Sequence, residues 1–120
     1  MQAHANDLRA EVEKDWDGLT NATAEGGSSA AFDTFVHHAV DDWRRCSLST
    51  KVQALLEYAE KVTRAPASCE RGDVQHLREA GWSDVAIHDA VQVIAYFNYI
   101  NRIADALGVE PEMDLPRWGQ

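Results

Sequence analysis

The stretch that most constrains this chain is Ser83 to Leu107, SDVAIHDAVQVIAYFNYINRIADAL. Ile87, Ala90, Val91, Ile94, Phe97, Asn101, Ala104 and Leu107 recur three or four residues apart, the spacing of one helical face. Val93, Tyr96, Ile100 and Ile103 form a second apolar stripe, so the middle turns are apolar nearly all round. A helix of that kind is expected to be buried from several sides, in a core or at a subunit contact. Ser83 suits an N-cap, and Asp84 sits where the helix dipole favours a negative charge. Gly108 suits the residue just past the end, and Pro111 blocks continuation. The run does not read as a membrane span, because Asp89, Arg102 and Asp105 interrupt it.

The other segments follow the same period. Residues 1–19 read as a helix whose inward face takes Leu8, Val12, either Asp15 or Trp16, and Leu19, with no capping signal before Gln2. Residues 20–29, TNATAEGGSS, are small and polar and read as a flexible loop. Ala31 to Arg45 resumes helical spacing with Phe32, Phe35, Val36, Ala39, Val40 and Trp43 on one face. Ser49 or Thr50 can cap the next helix, Lys51 to Arg64, which Pro66 ends. Within it Glu57 and Lys61 stand in the favoured i,i+4 order of an ion pair. Asp73 to Ala80 reads as a short helix with Val74 and Leu77 inward, stopped by Gly81, with Trp82 filling the corner beyond. Residues 109–120 read as an extended tail whose Met113, Leu115 and Trp118 can pack back on the domain or on a neighbouring subunit. No segment alternates with the period of a strand, so the fold class is all-α, with about five helices joined by short connections.

A chain of 120 residues suits one small domain. Its formal net charge of -9 argues against nucleic acid and anionic membrane as general partners. No signal peptide or transmembrane segment is visible, and a cytoplasmic location is expected. The two cysteines, Cys46 and Cys69, form neither redox nor zinc spacing and are expected to be reduced structural or surface thiols. His37 with Asp41 and His38 with Asp42 share helix faces, but the two histidines point about 100° apart and have no third ligand in view. Local hydrogen bonding on a wet face is expected of them; neither metal nor cofactor is. There is no phosphate loop and no Ser-His-Asp spacing.

Two blocks carry a family resemblance: DDWRRCSLSTKVQALLEYAEKVTRAPAS from Asp41, and LREAGWSDVAIHDAVQVIAYFNYINRIADALGVEPEM from Leu77. Together they resemble the C-terminal part of the alkylhydroperoxidase D-like (AhpD-like) proteins of the carboxymuconolactone decarboxylase superfamily, in the branch described as peroxidase-related. AVQVIAYFNYINRIADALGVEPEM is the most specific part. The resemblance implies an all-α AhpD-like helical domain, a homo-oligomer, and reduction of peroxides by a thiol or dithiol reductant without a metal. It also implies a Cys-x-x-Cys-x-x-x-His signature at the start of a helix. If His4 is that histidine, the second cysteine falls one residue before Met1. On this reading the chain is N-terminally incomplete, the dithiol lies upstream, and the chain alone is inactive. His4 would then be a proton relay, since its ordinary pKa lies near working pH. The missing cysteines matter because a thiolate attacks the peroxide, and a partner thiol then closes the disulfide.

Three polar residues in the apolar helix, Asn98, Asn101 and Arg102, are candidates to line a pocket. Structurally, the two asparagines are expected to bond a neighbouring helix or backbone, and Arg102 to pair with a carboxylate such as Asp105 or one on another subunit. Tyr96, Phe97 and Tyr99 are expected to pack in a core or an interface. Two other functional readings stand beside peroxide reduction: a non-catalytic helical scaffold of the same fold, and a lactone decarboxylase in which acid–base residues replace the dithiol.

Overall fold

A computed structural model describes residues 2–21, 24 and 26–109, with side chains from Ala5 onward. Among these residues the protein is all-α, with six α-helices and two short 3-10 turns. The described residues fall into two compact units, one within Met1–Ser49 and one over Thr50–Val109.

The first unit holds α1 (Gln2–Lys14), α2 (Trp16–Leu19) and α3 (Ser29–Asp42). The single helix expected over residues 1–19 is divided, because Asp15 leaves helical geometry at φ -134°, ψ 43°. Trp16 thereby turns its ring edge-on to Phe32 and Phe35, with centroids 5.3 and 5.6 Å apart. Val12 and Val36 are fully buried, and Ala5, Ala31, Phe35 and Leu48 complete the core. Arg9 binds Asp33 at 2.7 Å and reaches Glu13 and Ser29, so one guanidinium ties α1 to α3. α3 starts two residues ahead of the Ala31 expected from periodicity, and Ser28 caps it by accepting from the Ala31 N–H. The segment after α2 is pinned to the segment after α3. Thr20 bridges Leu48, Asn21 N–H donates to the Ser47 carbonyl, and Ser49 N–H donates to the Leu19 carbonyl. Residues 22, 23 and 25 of the expected loop, and the expected tail beyond Val109 with Met113, Leu115 and Trp118, lie outside the described residues.

The second unit holds α4 (Thr50–Arg64), α5 (Arg71–Glu79) and α6 (Asp84–Leu107). Its core is Ala54, Leu77 and Ile87, ringed by Leu55, Tyr58, Val74, Ala80 and Trp82. α5 ends on Gly81 at φ +109°, with Gly81 N–H on the Arg78 carbonyl and Trp82 N–H on the Leu77 carbonyl. That left-handed stop throws Trp82 into the corner expected of it. Its indole N–H donates to the Lys51 carbonyl at 2.8 Å, and the Lys51 ammonium lies 4.2 Å from the ring centroid. Ser83 caps α6 by accepting from the Ala86 N–H, and Gly108 at φ +66° closes it. Lys61 does not take Glu57, its i,i+4 neighbour. Its ammonium reaches across to Asp73 on α5, at 2.9 and 3.0 Å. Asp73 is already fixed there, because it accepts the Glu70 N–H at the start of α5.

Among the described residues, α6 is not enclosed by its own unit. Of its residues only Ile87 is buried. The stripe of Val93, Tyr96, Ile100 and Ile103, expected to be covered, is exposed, with Tyr96 at 59%. At 100° per residue these four, with Val85, Phe97, Tyr99 and Leu107, fall within an arc of about 160°. One face of α6 meets α4 and α5; the apolar residues of the other face are largely exposed.

Candidate functional site

α4 and α6 run in the same direction. Lys51 meets Trp82, Ala54 clusters with Ile87, and Thr63 meets Asn98, so the paired residues advance together along both helices. A parallel pair needs a long connection, and α5 supplies it. α4 stops at Arg64, because Ala65 turns out at φ -144°, ψ 58° and Pro66 opens a 3-10 turn. α6 continues for about two and a half turns beyond Asn98. The unequal lengths leave a groove beside the end of α4.

This groove is a cavity of about 480 Å³. Its walls are apolar: Val62 and Pro66 on one side, Ala95, Ile103 and Ala106 on the other. Its polar groups are Asn98, Tyr99 and Arg102. Thr63 Oγ1 stands 2.7 Å from the Ala59 carbonyl and 3.1 Å from Asn98 Oδ1. A hydroxyl has one proton, so it serves one of those two oxygens; with the Asn98 amide turned over, an N–H would donate to Thr63 instead. In either orientation at least one Asn98 N–H remains for the groove. Arg102 has no hydrogen bond or ion pair among the described residues, and the expected pair with Asp105 is not formed. Asn101 is exposed and does not line this groove. Of the three residues singled out in the sequence, Asn98 and Arg102 border this cavity; Tyr99, Val62 and Pro66 border it as well, the last two because α4 ends there.

His4 lies on α1, and its side chain is outside the described residues. The cysteines are both free. Cys46 sits in a second cavity of about 330 Å³ with Trp16, Phe35, His38 and Arg45. Its thiol donates to the Phe35 carbonyl at 3.5 Å. Burial pushes its pKa up to about 11, against the opposing charge of Arg45 and with a small contribution from Asp42. A thiol held protonated in this way is a poor nucleophile at neutral pH. Cys69, half-buried, contributes with Asp73 to raising the Tyr58 pKa, after the larger effect of burial. The acids near the histidine pair are engaged by arginines: Asp41 binds Arg45 at 2.6 Å and Asp42 accepts the Arg44 N–H. Among the described residues no group of three or more His, Cys, Asp or Glu could hold a metal ion.

The described residues thus form an all-α fold in which the groove between α4 and α6 is an apolar recess with hydrogen-bond donors on its lining. No protein-family model matches the chain, and no curated protein does. Among solved structures, the crystal structure of an uncharacterized peroxidase-related protein from Silicibacter sp. TM1040 matches with a TM-score of 0.74 and 24% identity. The match covers 99% of this chain and 53% of that one, so the chain spans about half the length of that solved structure. At that identity the likeness establishes the fold. No helix of the described residues is long and apolar enough to cross a membrane.

Proposed function

We propose that this chain supplies the helical scaffold of a peroxidase-related, alkylhydroperoxidase-like antioxidant protein. The observation that carries the reading is the fold likeness over 99% of the chain to a protein described as peroxidase-related. The blocks from Asp41 and Leu77 support it from the sequence side. In that chemistry a thiolate attacks the peroxide O–O bond, giving an alcohol and a sulfenic acid. A second thiol condenses with the sulfenic acid, releasing water and forming a disulfide, which an external dithiol reduces. The chain's own cysteines do not fit those roles: they lack Cys-x-x-Cys spacing, and Cys46 is held as a thiol. The reading therefore needs a dithiol that these 120 residues do not contain, with His4 as its proton relay. It includes a cytoplasmic homo-oligomer, in which a second copy covers the exposed apolar face of α6.

The test is an organic hydroperoxide assay with a dithiol reductant. The 120-residue chain should show no turnover above background. Translation in frame from the DNA preceding Met1 should add a Cys-x-x-Cys segment and confer turnover that alkylation abolishes. A longer product that carries the pair yet consumes no peroxide refutes the reading, as does turnover by the chain itself that Cys46→Ser removes.

A further inference from the structure

We propose that the groove between the end of α4 and α6 binds an amphipathic monocarboxylate, with the carboxylate on Arg102 and Asn98 and the alkyl chain along Val62, Pro66, Ile103 and Ala106. The charge pattern selects the ligand. The chain carries 20 acidic and 11 basic residues, so acids are in surplus, and of the described arginines only Arg71 and Arg102 have no carboxylate within 4.0 Å. Arg9, Lys14, Arg44, Arg45, Lys61, Arg64 and Arg78 each stand within 4.0 Å of a carboxylate. Lys51 lies on the face of Trp82. Arg102 has neither arrangement among the described residues. It lines a cavity that contains no Asp or Glu. Its neighbours there, the Asn98 amide and the Tyr99 hydroxyl, can donate hydrogen bonds. A guanidinium with adjacent donors and no competing acid matches a carboxylate, which can accept two parallel N–H bonds.

One cation in a strongly acidic chain suits a single negative charge better than a phosphate dianion. The remaining surface is apolar and extends from Ala95 to Ala106, roughly 16 Å along the helix at 1.5 Å per residue. That length accommodates a medium-length alkyl chain lying against α6. The cavity's size falls within the usual range of small-molecule sites. Binding of this kind requires no thiol, so it stands or falls separately from peroxide chemistry.

The experiment is isothermal titration of the full chain with decanoate below its micelle point, with decanol and inorganic phosphate as comparison probes. Decanoate should bind saturably, one per chain, and phosphate should not bind measurably. Arg102→Gln should weaken decanoate about tenfold or more, as loss of a charge-assisted hydrogen bond predicts. Arg71→Gln removes an arginine outside the groove lining and should change binding by less than about twofold, the scale of a rim charge. Ala95→Trp should abolish binding by filling the groove, with helicity by circular dichroism unchanged in all three variants. The proposal is overturned if decanol binds as tightly as decanoate, if phosphate competes, or if Arg102→Gln and Ala95→Trp bind like the parent chain. The last result would place the ligand on the exposed apolar face of α6.

Discussion

Cys46 should react with iodoacetamide at pH 7.5 about twenty- to thirtyfold more slowly in the folded chain than in the urea-unfolded chain. The magnitude follows from its surroundings. With a pKa of about 11, roughly 3 in 10,000 Cys46 side chains are thiolate at that pH. An ordinary cysteine near pKa 8.5 is about one-tenth thiolate, so the populations differ about 300-fold. A more basic thiolate is also a better nucleophile, which returns about tenfold of that difference. Half-burial of the sulfur beside Phe35 can only slow the reaction further. Mass mapping of labelled peptides distinguishes Cys46 from Cys69 and gives each rate. The Cys46 rate should still be climbing at pH 10, where an ordinary thiol has levelled off. Folded and unfolded rates within about threefold of each other would refute the argument, because burial would then not be holding the proton on the sulfur.

Two further outcomes follow from the second unit. Leu77 is fully buried against Ala54 and Ile87, so Leu77→Ala should lose about 2–5 kcal/mol in urea melts followed by circular dichroism, while Val93→Ala on the exposed face stays within about 0.5 kcal/mol. The Asp73 carboxyl is held below its ordinary pKa by the Glu70 N–H and then by Lys61, so its stabilisation is complete above the ordinary carboxylate range and lost as pH falls through and below it. The stability gap between the parent chain and Asp73→Asn should therefore close on acidification, and a gap that widens as pH falls would contradict the assignment.

The sequence rules that succeeded here were local ones. Ser83, Gly81 and Gly108 mark helix ends because capping and left-handed closure depend on a residue and its nearest neighbours along the chain. Lys61 shows where such rules fail. The i,i+4 pairing with Glu57 was the better choice for an isolated helix, but Asp73 is pre-positioned by the Glu70 N–H, so Lys61 meets a partner whose geometry is already fixed. Nothing in residues 50–64 encodes that arrangement. His4 was legible only through the family resemblance, and its side chain is not among those described.

The stretch from Ser83 to Leu107 shows the same division at larger scale. Periodicity reports that a residue is apolar and which way it turns, but burial also needs a neighbour on that side. α6 receives neighbours on one side, from α4 and α5, and the end of α4 at Arg64 fixes how far up the helix they reach. Below that point Ile87 is core. Beyond it, Asn98 is the last residue seen to bond α4, and Arg102, one turn on, borders a cavity instead of a helix. The groove therefore depends on two properties that no single segment carries: the parallel register of α4 with α6 and the difference in their lengths. Asn98 and Arg102 could be singled out as polar residues in an apolar helix, whereas Val62 and Pro66 look like the ordinary end of one. The two sides of the recess become one site only when the place where α4 stops is set beside the place where α6 continues.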